Sequence, residues 1–167
     1  MRLDFLPAII VDAVTDLTVD FLHKQKIELL MLDFDNTIVP YTTDIPTEAV
    51  EQWLQQMLNS DIQICVVSNS RNDRVKRFCE KRAIPCITHA KKPFSKGIVE
   101  CFHRFGKQPL RCALVGDQIF TDTLGANGAG VRPILVRAID NHNIWLKLRH
   151  VAELPFIYAA SKRRVSK

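Results

Sequence analysis

The chain is poor in the residues from which nucleic-acid modules, zinc modules and membrane spans are made. Aromatic residues are only 8% of its 167 positions, with two Trp and two Tyr. They fall mostly in helix-core patterns, so no stacking platform for bases emerges and a nucleic-acid partner is not expected. Five cysteines, at 65, 79, 86, 101 and 112, form no CxxC pair. That argues against a zinc site and reads as buried free thiols in a reducing compartment. No apolar run is long enough to span a membrane. Asp4 and Asp12 interrupt the apolar N-terminal stretch, which is therefore not read as a secretory leader. Glycine is scarce, at six residues. Gly125, Gly128 and Gly130 fall in LGANGAG, which does not follow a first strand; they are read as helix packing and a C-terminal turn rather than a dinucleotide fingerprint. The histidines are scattered, and His89 is read as a loop or core residue. Repeats and low-complexity segments are absent.

What is present suffices for one well-buried domain: 47% of the residues are hydrophobic and the net charge is +5. The expected organisation is a single domain over 1–167, with an apolar segment and helix over 1–26 and a basic tail over 159–167. Strands are predicted at Ile27–Leu32, Ile62–Val67, Ala83–Ile87, Cys112–Val115 and Pro133–Val136. Helices are predicted at about Thr47–Asn59, Asp73–Arg82, Ser95–Phe105 and Ile119–Ala129, Thr47 being a natural N-cap. Trp53, Leu54, Met57 and Leu58 form an apolar helix stripe that reads as core. Alternating strands and helices, joined by right-handed crossovers, predict an α/β fold: a doubly wound, Rossmann-like, mostly parallel sheet with helices on both faces.

The chemistry-bearing residues stand at the strand ends. Leu29–Leu32 is an apolar run that ends in Asp33 and Asp35, and a buried parallel strand would deliver both acids to the C-terminal edge of the sheet, where open α/β sheets bind ligands. Asp and Asn clusters also make solvated turns, so DxDxT alone leaves that alternative open. Three further segments share the pattern. Ile62–Val67 runs into Ser68-Asn69-Ser70, Lys91 and Lys92 precede Pro93 at a predicted helix entry, and Ala113–Val115 leads into Gly116-Asp117 with Asp122 five residues on. Asp122 could equally be an acid in the first turn of a helix, where the macrodipole favours it. Lys92 could be an ordinary solvated charge at the helix entry, and Lys91 beside it is the alternative candidate.

In order, DxDxT, SNS, KKP and GDxxxTD resemble the four motifs of the haloacid dehalogenase superfamily of aspartate-based phosphohydrolases, subclass IIIA. The resemblance implies Asp33 as nucleophile, Asp35 as general acid and base, and Lys92, the lysine next to proline, as the fixed positive charge. It implies phosphoryl contacts from Ser68 and Asn69. A Mg²⁺ ion is implied on the Asp33 carboxylate, the Asp35 main-chain carbonyl and the Asp117 carboxylate. Asp122 is placed outside the metal's ligands, orienting Lys92 or a metal-bound water, and Thr37 is placed in the same outer layer, shaping the turn and hydrogen-bonding Asp33 or backbone. The family's strand order sets the first and fourth predicted strands side by side. Only Ile38–Pro46 and Thr88–Lys91 fill the positions where relatives insert cap domains, so a core without a cap is expected.

Nearly the whole chain is similar to the YqeG-type phosphatases, relatives of the phosphatidylglycerophosphate phosphatases, most distinctively through GDQIFTDTLGAN. That makes phosphatidylglycerophosphate the leading substrate, in a cytoplasmic protein that can sit peripherally on the inner face of a membrane. Lys162, Arg163, Arg164 and Lys167 would favour an anionic lipid surface. A soluble sugar or nucleotide phosphate is the alternative substrate. A noncatalytic phosphate-binding partner of a GTPase or ribosome factor is the alternative of another class. The oligomeric state is not legible.

Overall fold

The computed structural model describes residues 4–140 and 154–159. Six strands form one all-parallel sheet: β1 (Ile9–Val11), β2 (Leu29–Leu32), β3 (Gln63–Val67), β4 (Cys86–Ile87), β5 (Cys112–Gly116) and β6 (Arg132–Val136), in the spatial order β1-β6-β5-β2-β3-β4. The helices are α1 (Val19–Lys24), α2 (Glu48–Leu58), α3 (Asp73–Glu80), α4 (Lys96–Arg104) and α5 (Leu124–Ala129). The expected Rossmann-like architecture is therefore present.

Strand periodicity divides the core in two. Leu30, Leu32, Ile64, Val66, Ala113 and Val115 point to the face covered by α1, α2 and α3, where Leu22, Trp53, Leu54 and Phe78 are buried. Leu29, Met31, Cys65, Cys112 and Leu114 point to the other face, against Ile98, Cys101 and Phe102 of α4 and Ala126 of α5. Both faces of the central strands are thus apolar, which is why these strands read as unbroken hydrophobic runs. Trp53 is core, as its spacing implied, and its indole N–H donates to the Leu17 carbonyl at 2.8 Å. Thr47 caps α2, its hydroxyl accepting from Val50 N.

Four expectations need correction. The strand predicted at Ala83–Ile87 is only Cys86–Ile87, because Ala83 has a positive φ of 53° and belongs to the turn that ends α3. The helix predicted from Ile119 opens as a wide π-turn over Ile119–Thr123, whose Thr123 N reaches back to the Gln118 carbonyl, and becomes α-helical only at Leu124. The edge strand β1 was not anticipated. Pro93 also stands ahead of α4 instead of opening it, in a turn closed by Phe94 N and the Lys91 carbonyl.

The N-terminal segment is tied to the same region. Asn127 of α5 donates to the carbonyls of Asp4 and Leu6. The Phe5 ring meets Phe120 of the π-turn at 6.0 Å and Phe156, in the helix over 154–159, at 5.1 Å. Most of the expected basic tail, including Lys162–Lys167, lies outside the described residues.

Candidate active site

Register makes the ends of the three central strands flush. Leu32 pairs with Val66 of β3 and Val115 of β5, and the ladder continues one residue further as Asp33 N donates to the Val115 carbonyl at 2.8 Å. Asp33, Ser68 and Asp117 therefore leave the sheet together at its C-terminal edge. β2 lies between β3 and β5, so the crevice opens where connections diverge to either side, the usual ligand position in open α/β sheets.

Lys92 enters this crevice from the loop after β4. Its ammonium stands 2.6 Å from Asp33 Oδ1 and 2.7 Å from Asp122 Oδ1, with the side chain only 2% exposed. The backbone is locked for this purpose: Asn69 donates to the Lys92 carbonyl and accepts from the Lys92 N–H, at 2.8 and 2.7 Å. Lys91, by contrast, is exposed. Asp122 is carried by the π-turn, and its Oδ2 accepts from Gln118 N at 3.1 Å. It packs directly over Gly116, where an added Cβ would lie 2.3 Å from the carboxyl.

Electrostatics in this buried group are lopsided. Burial pushes the Asp33 carboxyl up to about 7, against the lowering pull of Lys92, with Asp122 adding to the rise. For Lys92, burial would lower the ammonium, but Asp122 and Asp33 outweigh it and hold it above its ordinary value. The ammonium pairs with Asp33 and Asp122, and a third buried carboxylate, Asp117, stands with them, one oxygen of each lying within 4.8 Å of the others. That donor set fits a hard dication such as Mg²⁺, which takes oxygen ligands and would offset the remaining negative charge.

Asp35 does not join this cluster through its side chain. Its Oδ1 lies 3.2 Å from Nη2 of Arg74 on α3. Burial raises the Asp35 carboxyl, and Arg74 and then Lys92 oppose that rise. Asp33, Asp35, Ser68, Asn69, Arg74 and Lys92 all line one open cavity of about 440 Å³, whose outer wall is made by Tyr41, Ser70, Asn72, Gln118 and Thr121.

One expected contact is not made, and Asn69 has partners beyond those expected. Asn69 lines the cavity, but both ends of its amide are engaged by the Lys92 peptide, so it holds the lysine loop. Thr37 is buried, yet its hydroxyl has no hydrogen-bond partner among the described residues. It faces a separate cavity of about 230 Å³ beside Val14 and Val50, so the expected bond to Asp33 or backbone is not made. Arg74, Tyr41 and Gln118 were not anticipated. For Arg74 a signal existed: a cation in the first turn of a predicted helix opposes the macrodipole and calls for a partner.

With this geometry in place, comparison with known proteins is decisive. Residues 2–139 match the family described as mitochondrial PGP phosphatase. The chain belongs to that family. "Probable phosphatase YqeG" of Bacillus subtilis (strain 168) is 33% identical over 132 residues, spanning 79% of this chain and 77% of that protein. "Phosphatidylglycerophosphatase GEP4, mitochondrial" of Saccharomyces cerevisiae is 31% identical over 144 residues, spanning 78% of this chain and 77% of that one. The fold is also that of a 3-deoxy-D-manno-octulosonate 8-phosphate phosphatase from Moraxella catarrhalis, solved with magnesium, phosphate and sugar (TM-score 0.50, 15% identity, covering 87% of this chain and 99% of that one). This member of the PGP phosphatase family is thus a phosphatase, and the noncatalytic scaffold alternative is set aside.

Proposed function

We propose that this phosphatase hydrolyses phosphatidylglycerophosphate to phosphatidylglycerol, with Mg²⁺ bound and through an aspartyl-phosphate on Asp33. Lys92 occupies Oδ1 of Asp33, which leaves Oδ2 to attack phosphorus in line. The Asp35 carboxyl gives its proton to the departing alkoxide. It then takes a proton from the water that attacks the aspartyl-phosphate, which releases inorganic phosphate and restores Asp33. Lys92 supplies fixed positive charge to the phosphoryl oxygens as negative charge builds, and the Ser68 hydroxyl donates to the same group. Mg²⁺, held by the carboxylates of Asp33 and Asp117 and the main-chain carbonyl of Asp35, would neutralise charge between nucleophile and phosphate. Asp122, 2.7 Å from Lys92, keeps that lysine aimed.

The observation that carries the lipid assignment is the contrast between the polar cavity and the exposed apolar side chains on loops at the same end of the sheet. The outer wall offers the hydrogen-bonding groups of Tyr41, Ser70, Asn72, Gln118 and Thr121, which suit a glycerol head group. Ile45 and Phe94, on loops leaving the same end of the sheet, are 73% and 69% exposed, and the exposed Lys91 and Lys96 flank Phe94. A polar slot on an end of the molecule that also exposes apolar and basic side chains suits a substrate whose phosphate enters while its acyl chains stay in an anionic bilayer. The name of the yeast relative supports the same substrate. On this reading the protein works from the cytoplasm, peripherally on the inner face of a membrane. No helix among the described residues is long and apolar enough to cross one.

The test is a parallel screen of lipid, sugar and nucleotide phosphates with the intact enzyme, with Asp33→Asn and with chelator. Turnover of phosphatidylglycerophosphate in vesicles should exceed that of soluble monoesters, and both asparagine and chelator should abolish it without unfolding the protein. Much faster turnover of a soluble sugar phosphate would overturn the lipid assignment. Full activity of Asp33→Asn would overturn the mechanism.

A further inference from the structure

Arg74, which the sequence did not single out, lines the site and is held by several contacts. It is the second residue of α3, and the Asn72 side chain caps its N–H at 3.1 Å. Its guanidinium then donates to three backbone carbonyls and stands against one carboxylate. Nη1 donates to the Tyr41 carbonyl at 2.9 Å, and Nη2 donates to the carbonyls of Pro40 and Thr43 at 3.1 and 2.8 Å. The same Nη2 faces Asp35 Oδ1 at 3.2 Å, and the group lies over the Phe34 ring, 5.1 Å from its centroid. Both charged side chains are largely buried, at 16% and 17% exposed.

This is not the pattern of a surface ion pair. Three backbone carbonyls and an aromatic face fix the guanidinium independently of Asp35, so the cation is a preset fixture to which the carboxylate is fitted. Only a planar fork can satisfy acceptors in these several directions at once; a lysine ammonium is a compact point charge and cannot. Asp35 also feels Lys92 across the cavity, and Lys92 is committed to Asp33 and Asp122. A carboxylate not held by Arg74 would be drawn toward Lys92 and would compete for the ammonium that holds Asp33. The same three carbonyl contacts pin the loop over Pro40–Thr43, and Gln118 reaches the Tyr41 hydroxyl from the opposite wall at 3.4 Å.

We propose that Arg74 is a positioning residue that keeps the Asp35 carboxyl aimed at the leaving-group oxygen, through its ion pair with Asp35 and its clamp on the loop over Pro40–Thr43. The inference rests on the acid role given to Asp35 above and assigns the residue that makes that role possible.

A double-mutant cycle in the full chain tests it, using p-nitrophenyl phosphate, whose leaving group needs little protonation, and glycerol 1-phosphate, whose leaving group needs much. Arg74→Gln should lower kcat on the alkyl ester by about 10- to 100-fold, the scale of a misplaced reacting group, with a much smaller loss on the aryl ester. Arg74→Lys should behave in the same way, and it supplies the comparison if the glutamine variant fails to fold. In an Asp35→Asn background either change should cost less than about 2-fold more on the alkyl ester, because a residue acting through Asp35 has nothing left to position. Equal losses from Arg74→Gln or Arg74→Lys with and without Asp35 would overturn the inference and leave the mechanism standing. Asp35→Asn losses equal on both esters would instead overturn the acid role, and this inference with it.

Discussion

Gly116 has no side chain, and the pairing of the buried Lys92 with Asp122 depends on that. A Cβ there would stand 2.3 Å from the Asp122 carboxyl and 2.6 Å from its Cβ, so any larger residue drives Asp122 away from Lys92. We expect Gly116→Ala to lower kcat sharply while costing about 1–3 kcal/mol of stability, the usual range for overpacking a filled interior. Phosphatase kinetics beside a denaturant titration would check it, and wild-type kcat would mean that Asp122 does not hold Lys92 in the working enzyme. Single residues also set the limit of what the sequence discloses. Asp33, Asp117 and Lys92 could be read because each follows an apolar run or precedes a proline. The double pairing of Asn69 with the Lys92 peptide could not, since it joins segments 23 positions apart through the backbone, which carries no residue-type signature. Thr37 misled because its place in DxDxT suggested a partner that the fold does not provide.

Elements were legible in proportion to how deeply they are buried. β2, β3, β5 and β6 are apolar on both faces and stand out as runs. β1 has three residues, pairs only with β6 and sits between Pro7 and Asp12, so neither length nor alternation marks it. The π-turn keeps helical spacing nearly intact, which hides the extra residue that brings Asp122 round to Lys92. Helices α2 and α3 are joined by Arg82, whose Nε and Nη2 donate to the Glu51 carboxylate, with Nη2 to Oε2 at 2.7 Å. Hydrogen bonding from Arg82 holds the Glu51 carboxyl below its ordinary value, although partial burial works the other way. A depressed folded-state carboxyl adds stability that is complete above the unfolded value near 4.5 and lost as pH falls through and below it. With the Glu51 carboxylate still about a third exposed to solvent, the contribution is about 1 kcal/mol or less. Glu51→Gln should therefore unfold slightly earlier than wild type at neutral pH, with the two melting curves converging as the pH drops below 4. A gap that persists at low pH would show packing rather than charge.

Over the whole molecule the site is open, and its surroundings decide what reaches it. Ile45 and Phe94 project from different loops at the C-terminal end of the sheet and make none of the catalytic contacts. If the enzyme works against a bilayer, Ile45→Ser and Phe94→Ser together should weaken flotation with phosphatidylglycerol vesicles and slow turnover of the lipid substrate several-fold. The rate on p-nitrophenyl phosphate should stay the same. A parallel fall on both substrates would place the effect inside the active site. The contacts between Phe5, Phe120 and Phe156 carry a practical consequence for anyone handling this protein. The chain's first described residues lean on the turn that holds Asp122, with Asn127 gripping the carbonyls of Asp4 and Leu6. An affinity tag fused at the N-terminus, or a trimmed start chosen to aid crystallisation, is therefore a change made against the turn that carries Asp122, and a purification handle is better fused elsewhere.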